Sequence, residues 1–271
     1  MTLARSRKQI QKYYNMAEVG KFPVRNKPIS IRSTLTDLQS EGLSFNQIYN
    51  LLNLLSLSVY NPSKHILPSQ MYKYLEGNKN LTRAGREEGL RRLMGINLLK
   101  RLESSVESFR LTVARIQKFI EDNIAKINQF EQSYGVQRVV NKDDTLKDLD
   151  IDDQDIVSSA TSSQKEIDLA DMDYKTWRRE LEADVEVLKR ISILLEPITP
   201  EHDSKLQDLI KHVKEKIENP FNGNNKKIII FTAFADTAQY LYDNLAQRIK
   251  NKYGLNTALV MGTGTAKTTL S

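Results

Sequence analysis

The chain has 271 residues, enough for one or two domains, and is 39% hydrophobic and 27% charged. Its low proline and glycine content favours long helices. It has no apolar run of about 18 residues and no apolar segment behind its basic start, so we expect neither a membrane span nor a secretory signal. The absence of cysteine excludes disulfides and thiolate metal sites, and a cytoplasmic protein is expected.

The net charge of +6 hides an uneven distribution. Residues 1–32 contain eight Lys and Arg against one Glu, and residues 82–120 contain nine against four acidic residues. Residues 143–173 are the reverse, with eleven Asp and Glu against two Lys. Two basic zones and one acidic loop favour a polyanionic partner. The alternative is that the basic residues only form solvated helix faces.

The first eighty residues predict short elements. Residues 1–35 are basic, and their prolines discourage a helix, whereas the alternation in residues 28–32 predicts a short strand. A leucine-rich stretch predicts a helix over residues 43–57, and the Asn61–Pro62 pair ends it. A second short helix is predicted over residues 68–75.

Residues 81–134 give the strongest helical pattern in the chain. The apolar residues that recur every three or four positions are Leu99, Leu102, Val106, Phe109, Val113, Ile116, Ile120, Ile124 and Ile127. This stripe must pack against another helix, and residues 174–195 are the predicted partner in an antiparallel hairpin. The acidic, serine-rich segment 135–172 would then be a mobile loop at the tip of the hairpin.

The last third of the chain predicts a helix and then a βαβ unit. Thr199 and Pro200 predict a helix start as N-cap and first helical residue, and the helix is expected to end near residue 218. The apolar run 228–231 predicts a buried parallel strand, followed by a helix that ends at Gly254 and by a second strand over residues 257–262. One βαβ unit cannot cover both faces of its sheet, so we expect a piece of a larger protein. Its open edge would favour oligomers.

Three motifs imitate binding sites without completing them. Residues 262–268 suggest a phosphate loop that uses Lys267, but both glycines of that pattern are missing from their places, so a plain loop is the better interpretation. Residues 148–159 imitate a calcium loop but lack its glycine and its final glutamate. The three histidines are scattered along the chain. The sequence predicts no catalytic, cofactor-binding or metal-ligating residue.

Several segments resemble the Swi/Snf-like superfamily-two helicases, including the bacterial DEAD/DEAH-type helicase-related proteins. Residues 228–232 resemble the motif IV strand that opens their second RecA-like domain, and residues 236–245 resemble the helix after it. Residues 203–209 resemble the helix that precedes motif IV. Residues 92–109 are similar to the inter-domain helix, and residues 5–8 with 22–25 resemble the exit from the first RecA-like domain. The matches follow the order of the family and span most of the chain.

The resemblance implies a division of the chain into three parts. Residues 1–40 would be a basic segment that leaves the first RecA-like domain, and residues 41–222 a helical inter-domain region with the acidic loop 135–172. Residues 223–271 would be a truncated start of the second RecA-like domain. The implied fold is mostly α, with a long antiparallel helical hairpin followed by a truncated RecA-like βαβ unit.

The resemblance also implies a function. The parent would be an ATP-dependent DNA translocase that uses ATP and Mg²⁺, but Walker A, Walker B and motif VI are missing from this sequence, so this chain is expected not to hydrolyse ATP. The expected partners are the backbone of double-stranded DNA and the rest of the helicase chain, with no membrane. Motif IV residues Phe231 and Thr232 and the loop at Gly262 would lie near the DNA.

Two questions stay open at this point. Arg5, Arg7 and Lys8 would either add to the DNA contact or serve as hinge residues. The chain as a whole could instead be a non-enzymatic coiled-coil adaptor, because an exposed heptad seam over residues 99–127 can pair between chains. A complete nucleotide-binding enzyme that uses Lys267 is a weaker third possibility.

Overall fold

The structure is a computed structural model, and it describes residues 7–15, 27–38, 44–74, 83–133, 167–220, 223–262 and 266–270. The chain forms two compact units, Met1–Arg32 and Ser33–Ser271. In the first unit, helix α1 spans Arg7–Tyr13. The strand predicted over residues 28–32 is wrong, since residues 27–32 have no regular structure and Ile29 is exposed. Alternation alone does not make a strand when no neighbouring strand completes its hydrogen bonds.

The described part of the second unit is mostly helical. Its helices are α2 (Phe45–Leu52), α3 (Arg83–Ser104), α4 (Val106–Gln132), α5 (Tyr174–Leu195), α6 (Ser204–Glu218) and α7 (Ala235–Tyr253). Short 3₁₀ turns cover Ser58–Tyr60, Pro62–His65, Pro68–Tyr74 and Leu169–Asp171. Two strands of two residues each, β1 (Ala258–Leu259) and β2 (Lys267–Thr268), form a small antiparallel sheet.

Helices α4 and α5 form the antiparallel pair that the apolar stripe predicts. Arg178 near the start of α5 pairs with Glu131 at the end of α4. At the other end, Arg110 Nη2 donates to the carbonyls of Leu195 and Ile198 at 2.9 Å. The stripe is buried between the helices, with Phe109, Val113 and Ile120 inaccessible to solvent. The hairpin therefore uses its apolar seam within one chain.

The predicted long helix over residues 81–134 is divided in two at Ser105. Ser105 has an extended backbone, and its hydroxyl accepts a hydrogen bond from the Ser108 N–H at 3.0 Å. It is the N-cap of α4, because a serine hydroxyl can satisfy an N–H group that the first helical turn leaves free. The apolar periodicity continues from α3 into α4 without interruption, so the sequence pattern did not reveal the break at Ser105.

The start of α6 also differs from the prediction. Thr199 and Pro200 precede the helix, and Asp203 is the N-cap, accepting from the Leu206 N–H at 3.0 Å. Thr36 forms an isolated bridge with Asp203, so residues near 36 are tied to the start of α6. The helix starts after Asp203 and not at Thr199, because the buried carboxylate of Asp203 accepts the hydrogen bond of a free N–H in the first turn.

The βαβ unit is not formed as predicted. Helix α7 and its left-handed cap Gly254 (φ 64°) agree with the prediction. Residues 225–232 are not in a strand, and the apolar run that was expected to be buried is exposed. β1 pairs antiparallel with β2, not parallel with residues 228–231. A strand of a buried parallel sheet needs neighbours on both sides, and the described chain supplies none to this segment.

The loop predicted over residues 135–172 falls largely outside the described residues, as does the calcium-like sequence within it. Its last part is ordered differently from the expectation. Ile167, Leu169 and Met172 are buried in the main core, and Met172 forms a bridge with Ile66. Apolar residues at the end of the acidic stretch thus join the hairpin core.

Candidate nucleic-acid interface

An ionic cluster joins the helical hairpin to the start of α7. Arg101 of α3 is 1% exposed, and its Nη1 lies 2.9 Å from Asp236 Oδ2. Arg115 of α4 donates to the same oxygen at 2.9 Å and to Oδ1 at 3.2 Å. Arg101 also donates to Ser108 Oγ at 3.2 Å. We call Arg101, Arg115 and Asp236 the Arg101 cluster.

The electrostatics of the cluster favour an ionised Asp236. Burial raises the pKa of this carboxyl, but the hydrogen bond and charge of Arg115 and the charge of Arg101 outweigh it, so the pKa lies below its ordinary value. A shared carboxylate between two guanidinium groups is stable because charge-assisted hydrogen bonds replace the lost hydration. Asp236 therefore binds α3 and α4 at once.

Hydroxyl groups extend this junction. Ser104 Oγ lies 2.8 Å from Thr237 Oγ1 and 3.4 Å from Thr232 Oγ1. Ser105 Oγ lies 3.1 Å from the same Thr237 oxygen. The end of α3 and the cap of α4 are thereby fixed against residues 232–237.

Phe234 completes the contact. Its side chain is buried, and the Arg101 guanidinium lies 4.6 Å from the centre of its ring, within the range of a cation–π interaction. Thr232 Oγ1 accepts from the Phe234 N–H at 3.3 Å. Residues 232–237 are thus held against α3 and α4. Residues 226–231 precede this fixed part of the chain.

That segment lines a groove of about 840 Å³. The rest of the lining includes residues 255–262, with Leu241 and Leu245 of α7 and Val213 and Ile217 of α6. We call this the 226–262 groove. Its size is within the range of binding clefts in proteins.

Three of the six predicted DNA-contacting residues meet at this groove. Phe231, Thr232 and Gly262 all line it. Phe231 is 90% exposed, whereas Thr232 is half-buried and already bonded within the junction. Thr232 therefore helps to hold residues 232–237 in place, whereas the side chain of Phe231 is free to contact a binding partner.

The other three predicted residues lie in the first unit. Arg7 begins α1, Lys8 is an exposed residue of the same helix, and Arg5 lies outside the described residues. The choice between a DNA contact and a hinge stays a prediction.

Sequence reasoning did not single out Lys226 and Lys227 as site residues. Both are exposed and line the groove immediately before the apolar run. Their position directly before a strand-like apolar run was the available signal, because Lys next to an exposed edge can contact a phosphate backbone. They add two positive charges to a lining whose other residues are uncharged.

Lys267 and the three histidines form ordinary structural contacts. Lys267 lies in β2, and its Nζ donates to Gln239 Oε1 of α7 at 2.7 Å. His65 Nε2 lies 3.2 Å from Glu180 Oε2, His202 pairs with Asp37, and His212 pairs with Glu215. In the part of the chain that the structure describes, no group of His, Cys, Asp and Glu could hold a metal ion. Among the described helices, none is long and apolar enough to cross a membrane.

Comparisons with known proteins give no relative. No family model matches the chain, and neither a curated protein nor a solved structure is similar to it.

Proposed function

We propose that this chain is part of an ATP-dependent DNA translocase of the Swi/Snf-like helicase type. In this proposal the helical hairpin braces the motor, and the 226–262 groove and its lysines lie against the DNA backbone. Backbone contacts by Lys and Arg give affinity without sequence preference, as a translocase requires. The rest of the helicase chain would bind ATP and Mg²⁺, and these 271 residues would not hydrolyse ATP.

One observation carries the proposal. Two of the segments that carry the resemblance, residues 92–109 and 228–245, are far apart in the sequence and meet in the Arg101 cluster. The inter-domain helix of the resemblance thereby contacts the start of the helix after motif IV directly. Such a contact supports the proposed role, because a brace must transmit force from the helical region to the motor domain.

The groove supplies the second part of the argument. Phe231 and Gly262 come from two separate segments of the chain and both line the groove. The two lysines at residues 226 and 227 add the cationic groups that a phosphate backbone needs. This arrangement supports a contact between the groove and the phosphate backbone of DNA.

The adaptor alternative has less support. It needs an apolar seam over residues 99–127 that is free to pair between chains. In the structure that seam is buried against α5, with Ile116 and Ile127 almost inaccessible. No described feature favours it over the translocase.

The test is binding of the purified chain to a fluorescently labelled duplex over a series of salt concentrations, with ATP hydrolysis measured on the same sample. We expect salt-dependent binding without sequence preference and no ATP turnover. The variant Lys226→Gln with Lys227→Gln should weaken binding and reduce the slope of log affinity against log salt by about 1.8, near 0.9 per lost phosphate contact.

The matched control is Lys175→Gln with Arg179→Gln, which removes two exposed charges from α5. These residues lie beside Arg178, which pairs with the far end of α4, about 24 Å along the helix from Arg115. The control should leave affinity and slope unchanged. Equal losses in both variants would show that only net charge matters, and no binding at low salt would refute the DNA contact.

A further inference from the structure

His65 is a buried titratable group at the contact between a short turn and α5. It ends the 3₁₀ turn Pro62–His65, and its side chain is 5% exposed. Its Nε2 lies 3.2 Å from Glu180 Oε2 of α5, and its ring centre lies 6.4 Å from that of the buried Trp177. The imidazole therefore loses its hydration when the turn packs against α5, and this loss costs more free energy for a charged ring than for a neutral one.

The backbone at His65 is paired with the segment through which the chain enters α5. Residues 65–67 lie beside residues 171–173, and we call this contact the 65–173 pairing. It consists of two hydrogen bonds of 2.8 Å, from the Asp173 N–H to the His65 carbonyl and from the Leu67 N–H to the Asp171 carbonyl, and of an antiparallel bridge between Ile66 and Met172. A movement of the His65 ring acts on this pairing directly, because the ring and the accepting carbonyl belong to the same residue.

Three charged groups act on the imidazole from the turn and from α5. Burial lowers the pKa of His65, the charge of Glu180 raises it, Lys64 lowers it, and Asp173 raises it, and the balance places the pKa below 6.5. Glu180 compensates only part of the burial, because it also pairs with Lys64 at 3.6 Å and is itself partly exposed. The packed turn therefore favours the neutral ring.

On its other side the turn is held by a carboxylate of α3. Glu87 is buried, and its Oε2 accepts from the Ser63 N–H at 2.8 Å. Its Oε1 accepts from Arg83 Nε at 2.8 Å, so its charge is already balanced within α3. The start of the turn is thus fixed to α3, whereas its end at His65 depends on the contact with α5.

We propose that His65 makes the 65–173 pairing sensitive to pH, so that the neutral imidazole keeps the pairing formed and the protonated imidazole separates it. Because Nε2 faces a carboxylate, the neutral ring carries its proton there, and acidification adds a second proton at Nδ1. The resulting cation regains its hydration when the end of the turn leaves α5. Separation releases residues 171–173 at the entry into α5. This inference is independent of the proposed DNA contact.

Proton linkage gives the direction and the size of the effect. A hydrated imidazole with a pKa near 6.5 is about one-quarter protonated at pH 7 and about nine-tenths protonated at pH 5.5. Because the packed ring has a lower pKa, the separated form binds the proton more tightly and gains population as the pH falls below about 6.5. The separated fraction should rise by about two- to eightfold between pH 7 and pH 5.5, and eightfold is the limit in which the packed ring stays neutral.

An NMR titration of the histidine ring tests the first step. His202→Gln with His212→Gln removes the two exposed histidines and leaves His65 as the one histidine of the chain. Its ring signal should titrate with a midpoint below pH 6.5, and circular dichroism verifies that the variant is folded. A midpoint at or above pH 6.5 would overturn the inference.

Amide hydrogen exchange tests the second step. The protection factors of the Asp173 and Leu67 N–H groups should fall by about two- to eightfold from pH 7 to pH 5.5. The Gly254 N–H, which donates to the Lys250 carbonyl at 2.9 Å at the end of α7, is the internal control and should keep its protection factor.

The variant His65→Gln cannot titrate in this range, so the same two amides should have equal protection factors at both pH values. If this variant does not fold, the contrast between the two amides and Gly254 in the wild-type chain remains the test. Unchanged protection of the wild-type pairing, a fall that persists in folded His65→Gln, or an equal fall at Gly254 would overturn the inference.

Discussion

Arg101 and Asp236 are 135 residues apart in the sequence, and their side chains meet at 2.9 Å in the interior of the junction between α3 and α7. Arg101 is a buried guanidinium, so its burial depends on an ionised partner. Asp236 meets this need and is held in turn by Arg115. The hairpin and the C-terminal helix are therefore linked by one shared carboxylate.

Asp236→Asn is expected to destabilise the chain by about 3 kcal/mol, since it leaves a buried guanidinium without a counter-charge. The amide has nearly the volume of the carboxylate, so packing is unchanged. Urea unfolding followed by circular dichroism measures the difference. Glu186→Gln is the control, because Glu186 pairs with Lys189 at 3.6 Å on the exposed face of α5 and should cost less than about 0.5 kcal/mol. Equal costs would contradict the role of Asp236.

The contribution of Asp236 should depend on pH in a defined direction. Because its folded pKa lies below the ordinary value near 3.9, its stabilisation is fully present above about pH 4 and is lost as the pH falls through the folded pKa. The free energies of unfolding of wild type and Asp236→Asn should therefore differ by a constant amount near neutral pH and converge as the pH falls below about 4. A difference that stays constant on acidification would show that the carboxylate is not the stabilising group.

The helical part of the fold could be predicted from the sequence because its signals are local. The bounds of α5 and the Gly254 cap follow from periodicity and from one glycine. Ser105 and Asp203 were missed as caps because their hydrogen bonds form within a single turn, where periodicity carries no information. Ser and Asp are common N-cap residues, but the sequence offers several such residues near each helix start, and only the backbone shows which one caps the helix.

The strand over residues 228–231 was mispredicted for a different reason. Its composition fits a buried parallel strand, but a strand is defined by its neighbours, and composition does not supply them. The candidate site shows the same limit. The sequence indicated Phe231, Thr232 and Gly262 by resemblance. The Arg101 cluster arises instead from contacts between residues more than a hundred positions apart, and the groove brings together separate segments of residues 213–262.

Trp177 provides an internal probe of the hairpin core. It is the single tryptophan of the chain, is fully buried, and donates from Nε1 to the Ser58 carbonyl at 3.2 Å. Trp177→Phe should cost about 1–3 kcal/mol, because it removes this hydrogen bond and leaves a cavity. Chemical unfolding measured by circular dichroism tests this. Tyr72→Phe, at an exposed aromatic, should change the stability by less than about 0.5 kcal/mol, and an equal effect of both would contradict the prediction.

Two glycines should respond to alanine with opposite signs. Gly254 has φ 64°, so Gly254→Ala forces a side chain into the left-handed region and should cost about 1 kcal/mol. Gly89 lies inside α3, and a Cβ there would meet nothing within 4 Å. Gly89→Ala should therefore stabilise the chain by about 0.5–1 kcal/mol through helix propensity. Thermal unfolding of the two variants separates the effects, and a shared sign would show that backbone conformation does not decide them.

The basic residues of α1 distinguish a DNA contact from a hinge. Arg7→Gln with Lys8→Gln removes two charges at the start of that helix while leaving the Arg101 cluster and the groove intact. If these residues contact phosphates, the slope of log affinity against log salt for duplex binding should fall by about 1.8 and the affinity at low salt should drop. Lys175→Gln with Arg179→Gln removes the same charge from α5 and should leave both quantities unchanged. An unaltered slope for the α1 variant would exclude the DNA contact and leave the hinge role for these two residues.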